Sequence, residues 1–249
     1  MILTPIPRAA LPAILDRFGS ALPNGFARAA FLRIGATSPD RATGAEEEVH
    51  RQAALVFAAG LGVAAHPPGT GCRFNWDGAA LDGATEAYVI LHEVAHFVLA
   101  PPERRVLADF GLGPGPDTRD RATAERAAVL TLLERAEDEA LASLLGILWE
   151  AELGQPALAS FLDQNWLEGL DRSAAPHFVA TLGGLRRSGL IDRRARPVMP
   201  TRADNPAARS DKAKADRDRQ DDRASAAECG SAPARAKPGS PPGPGCRSG

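Results

Sequence analysis

His92-Glu93-Val94-Ala95-His96 places two imidazoles four residues apart, with a carboxylate beside the first. On a helix that spacing puts both histidines on one face, one turn apart, where they can grip a single metal ion. Glu93 then stands where it can hold or deprotonate a water on that ion. The flanks, Tyr88 to Leu91 and Phe97 to Ala100, are largely apolar. The pattern therefore belongs to a buried helix, and one divalent metal ion is expected on it, with Glu93 as the catalytic carboxylate.

Two histidines leave a site incomplete, because a catalytic zinc takes a third protein ligand and two histidines with one carboxylate also suit non-haem iron. The long helix expected after the downstream loop supplies the candidates Glu134, Glu137, Asp138 and Glu139. With about 100° per residue, Leu130, Leu133, Ala140, Leu141, Leu144 and Leu148 mark an apolar stripe. Glu137 falls within that stripe, Glu134 and Asp138 at or beyond its edge, and Glu139 on the opposite side. A carboxylate in a buried stripe is costly unless it is paired or metal-bound. The expected metal ligands are therefore His92, His96 and Glu137. Pairing of Glu137 with Arg105 or Arg119 is the structural alternative, and Glu134 or Glu139 are the substitutes as third ligand. His50, His66 and His177 read as surface or packing residues.

The elements that must position these groups read as helices. Leu11 to Leu22 forms a short amphipathic helix before Pro23-Asn24-Gly25, and a second helix starts at Gly44 with acidic residues in its first turn, where the dipole favours them. Pro67 to Gly78 is loop-rich, with room for one or two short strands. The motif helix runs from about Thr85 to Ala100 and stops at Pro101-Pro102. One long helix is expected from about Ala122 to Leu153, then two more over Phe161 to Leu170 and Ala174 to Gly189. The class is mainly α (α+β the alternative), a zincin-like helical metal-binding domain with at most a small sheet.

The 249 residues carry a formal net charge of −2, which argues against nucleic acid or an anionic membrane as partner. No basic start leads into an apolar core at the N-terminus, and no run is long enough to span a bilayer. Cys72, Cys229 and Cys246 are odd in number and unpaired in spacing, which suits a reducing cytoplasm. From residue 196 the chain is charged, small or Pro/Gly-rich, so one globular domain over 2–195 and a disordered tail over 196–249 are expected.

The run from His92 through Pro101-Pro102-Glu103-Arg104-Arg105, then Asp109-Phe110-Gly111 and Pro116 to Asp120, resembles the bacterial elongation factor P hydroxylase family. Weaker echoes occur over Asn165 to Gly169 and Ala175 to Leu182. The resemblance implies a metal-dependent monooxygenase, with Fe(II) favoured, acting on a protein lysine side chain, possibly that of elongation factor P. His92 and His96 carry over directly as ligands, and the family's following glutamate carries over to Glu137 with a short insertion. Leu112-Gly113-Pro114-Gly115 replaces the aromatic cluster that follows Asp-Phe-Gly in the family, and a Pro-Gln segment near the third ligand is missing. The alternative is a zinc metallopeptidase using the same ligands, with Glu93 as general base. A third possibility is a relative that keeps the metal for structure alone.

Overall fold

The computed structural model describes residues 6–23, 25–167 and 174–198. The tail expected from residue 196 lies, beyond Val198, outside the described residues; the helix expected over Phe161 to Leu170 instead runs Ala157–Asp163 and ends within them.

The class is mainly α with one small sheet, as the sequence suggested. Nine α-helices are formed among the described residues: α1 Leu11–Ala21, α2 Phe26–Gly35, α3 Ala45–Gly60, α4 Ala87–Leu99, α5 Pro102–Arg105, α6 Arg121–Ala127, α7 Leu132–Glu152, α8 Ala157–Asp163 and α9 Ala174–Arg187. None of them is long and apolar enough to cross a membrane. Helix α2 was not expected from the sequence. It buries Ala27, Ala30, Phe31 and Ile34, the spacing of a single helical face.

Few aromatics are available, and five of them form one cluster. Phe18, Phe31, Phe161 and Phe178 pack with ring centroids 4.9 to 6.0 Å apart, and Trp166 stacks on Phe161. This cluster ties α1 and α2 to α8 and α9. Such edge and tilted pairs add about 0.5–1.5 kcal/mol each beyond their buried area.

Helix α4 is the centre of the fold, lying against α3 on one side and α7 on another. It is apolar nearly all round, burying Val89, Ile90, Leu91, Val94, Ala95 and Phe97. Only an enclosed helix can be so apolar, and this is why its polar residues matter. Strand β1, Ala64–His66, pairs in parallel with β2, Ala80–Asp82, in the register Ala64↔Ala80. The connecting loop folds back on β2, with Asp82 donating its N–H to the Asn75 carbonyl and Asp77 accepting from the N–H groups of Ala79 and Ala80. That fold-back brings Asn75 and Trp76 against the motif helix.

The long helix expected over Ala122 to Leu153 is two helices. The chain breaks after Ala127, and α7 restarts at a capping box in which Thr131 accepts from the Glu134 N–H while Glu134 accepts from the Thr131 N–H. The first turn of α7 projects beyond the core, with Leu132 and Leu133 87% and 80% exposed. From Ala142 to Glu150 nearly every residue is buried, whichever way it faces.

Candidate metal centre

His92 and His96 emerge one turn apart from α4 with their Nε2 atoms 3.0 Å apart. Across from them, Glu139 on α7 places its Oε2 3.4 Å from His92 Nε2 and 3.5 Å from His96 Nε2. These three residues form the group capable of holding a metal ion among the described residues. A triangle with those sides has a point roughly 2 Å from every corner, the Zn–N and Zn–O bond length of about 2.0–2.2 Å. Donor types and spacing therefore both fit one divalent ion.

Glu139 stands where Glu137 was expected. Glu137 is exposed on the first turns of α7 and does not join the group. The expectation took the leucine stripe of this helix as the face turned to the site. Of that stripe, Leu141 reaches Gly184 of α9 on the other side of the helix, and Leu133 stands exposed. Glu139 instead heads a stripe of small residues, Ala142, Ser143 and Gly146, along which α4 and α7 approach closely. A Cβ on Gly146 would lie 3.3 Å from both the Cα and the N of His92. The helix is buried on two sides, so apolar periodicity selected the wrong one. Glu134 is occupied as the cap partner of Thr131.

The surroundings of the triangle are dense in hydrogen bonds. His96 donates Nδ1–H to Asp138 Oδ1 at 2.7 Å, and Arg104 donates from Nη1 to Asp138 Oδ2 at 2.8 Å. Burial disfavours a charge on His96, but the bonds to Asp138 and Glu139 outweigh it and push its pKa up to about 10. Burial acts on Glu139 in the opposite sense, yet its contacts with His92 and His96 hold it far below the usual carboxylate range. Without a metal the group binds a proton with the lone pairs that a metal would use.

Glu93, buried on the same helix, accepts from Asn75 Nδ2 at 3.3 Å. Burial raises its pKa; the two histidines oppose the rise, while Asp109 and Glu139 add to it. Asp109 is a site residue that the motif did not reveal, although it lies in the Asp109-Phe110-Gly111 block. Asp109 and Phe110 adopt φ of 45° and 54°, a left-handed conformation costing about 1–3 kcal/mol per residue. The turn is fixed by Asp109 N–H to the Trp76 carbonyl and by Thr118 Oγ1 donating to Asp109 Oδ2 at 2.7 Å. It directs Asp109 to the cavity and lays Phe110 between Trp76 and His96, with centroids 5.1 Å and 5.7 Å away.

The triangle faces a cavity of about 690 Å³. Five carboxylates line it (Glu93, Asp109, Asp117, Glu139 and Asp163), against one arginine, Arg41, and the two histidines. Arg41 is engaged by Asp163 and lies 3.7 Å above the Tyr88 ring. Elsewhere, His66 pairs with Asp77, and His177 stacks on Trp166.

Comparison with family models, with curated proteins and with solved structures gives no match for this chain.

Proposed function

We propose that this protein is a divalent-metal enzyme whose ion is held by His92, His96 and Glu139, and that it oxygenates a lysine side chain of a protein substrate. The observation that carries the reading is the near-equilateral triangle of ligand atoms at the head of an acidic cavity. Three protein ligands on one face leave positions open toward the cavity, as catalysis needs and a closed structural site does not. Of the lining carboxylates, Glu93, Asp109 and Asp117 are taken neither by the metal group nor by Arg41, and these would hold a cationic side chain by charge-assisted hydrogen bonds. Fe(II) is the favoured ion, following the resemblance to elongation factor P hydroxylases, and elongation factor P is the first substrate to test. Oxygen chemistry is what a bound Fe(II) would supply, with two electrons from an external reductant and two protons from solvent, one oxygen atom entering a C–H bond and the other leaving as water.

A second reading, a zinc peptidase, is favoured by one observation. Glu93 follows a ligand directly and lines the cavity, the position of a general base for a water. The two part on their products. Incubation of the Fe(II) protein with elongation factor P, O₂ and reductant should add one oxygen atom to a lysine, read by peptide mass spectrometry. Cleavage of peptides by the zinc-loaded protein, with no oxygen incorporated under Fe(II), would replace the oxygenase reading by the peptidase one.

A further inference from the structure

The two histidines of the triangle are held very differently. His96 is 2% exposed, and every part of its ring is engaged. In the ring plane, Nδ1–H is donated to Asp138 Oδ1. Against the ring face lies Phe110, itself backed by Trp76 at an interplanar angle of 7°. Arg104 joins the two constraints, because Nη1 donates to Asp138 Oδ2 at 2.8 Å while Nε donates to the Phe110 carbonyl at 2.9 Å. His92 has no such frame. Its Nδ1 is buried with no hydrogen-bond partner among the described residues, and its side chain is 22% exposed.

We infer that the metal site is built unequally: Asp138 and Arg104 are positioning residues that lock His96 as the fixed ligand, and His92 is the adjustable one. This rests on the metal reading of His92, His96 and Glu139. An ionised carboxylate can only accept, so Asp138 keeps the hydrogen on Nδ1 and leaves Nε2 of His96 for the ion. A buried Arg–Asp pair is a weak source of stability, since desolvating both groups offsets their attraction. Its value here lies in orientation: one guanidinium sets both the edge and the face of a single ligand ring. Asp138 lies next to Glu139 in sequence, so the same turn of α7 carries a ligand and the group that orients another ligand.

The test is Zn(II) affinity, measured by chelator competition on the purified full chain, with the melting temperature of the metal-free protein as fold control. Asp138→Asn keeps the shape but offers an amide that can donate toward Nδ1 and turn the hydrogen onto Nε2. It should weaken Zn(II) about 10- to 100-fold, the usual cost of losing a partner of a ligating histidine. Arg104→Lys keeps a cation but cannot bridge Asp138 and the Phe110 carbonyl together, so its loss should be smaller and in the same direction. His96→Ala should abolish binding, whereas His92→Ala should retain weakened binding. The inference is overturned if folded Asp138→Asn and Arg104→Lys bind Zn(II) as the unmodified chain does, or if the two histidine variants lose affinity equally. An unmodified chain that binds no Zn(II), Co(II) or Fe(II) would instead overturn the metal reading itself.

Discussion

Glu93 and Asp109 face the same cavity, and burial is the first cause raising the pKa of both. Asn75 donates to one and Thr118 to the other, so each carboxyl is oriented by a neutral donor and not by a cation. Neither is needed to complete the ligand triangle. Glu93→Gln is therefore expected to keep metal stoichiometry while turnover falls by about 10²–10⁴-fold, the usual contribution of a positioned acid or base. Metal analysis beside a rate measurement checks this, and unchanged turnover would remove Glu93 from the mechanism. The two histidines and Glu93 were legible in the sequence because their spacing is itself the geometry of a helix face. Asp109 was not, since its place depends on a left-handed turn that few non-glycine residues adopt.

Helices α4 and α7 make the site by their closeness. Gly146 is where they touch, and the ligand pair on one helix faces Glu139 on the other across that contact. Alanine at position 146 would gain about 1 kcal/mol of helix propensity but must displace the His92 backbone by a few tenths of an ångström. Valine leaves no such room. Gly146→Val is expected to lower the melting temperature and to weaken metal binding together, as the helices separate, whereas Gly60→Ala, outside the contact, should leave metal affinity unchanged. Retained affinity in Gly146→Val would mean that this approach does not set the ligand spacing. The sequence pointed to a glutamate on this second helix but selected Glu137. Two physical facts misled it: α7 starts afresh at Thr131, and its core half is buried on both sides. The Thr131-Leu132-Leu133-Glu134 capping box was the signal for the restart.

Across the whole molecule, a polar network joins the helices around the cavity. Arg41, ahead of α3, donates to Ser160 and Asp163 of α8 and lies over Tyr88 of α4. Ser160 donates in turn to Glu150 of α7 at 2.6 Å. Glu150 is 1% exposed; burial pushes its pKa up to about 8, although the Ser160 bond and Arg41 pull against it. The sign follows from proton binding. Between about pH 5 and pH 8 the folded chain keeps a proton on Glu150 that the unfolded chain has released, so stability falls as pH rises through that window. Urea unfolding at about pH 5.5 and about pH 8.5 should show a loss of a few kcal/mol at the higher pH; Glu150→Gln should remove part of it, because His96 in the metal-free chain acts in the same direction. A slope unchanged in the variant would assign the pH dependence to other groups. The mainly α class with a small sheet was legible from helical periodicity and stop signals. Helix α2 carries a helical face but no side-chain cap at Gly25 to announce it, and the polar network was not legible because long-range pairs leave no pattern in the sequence.

The central claim is that His92, His96 and Glu139 hold one metal ion, and metal stoichiometry after anaerobic purification tests it most directly. The unmodified chain should carry close to one equivalent of a divalent transition metal. Glu139→Ala should lose it and Glu137→Ala should keep it. Full retention in Glu139→Ala with loss in Glu137→Ala would contradict the account.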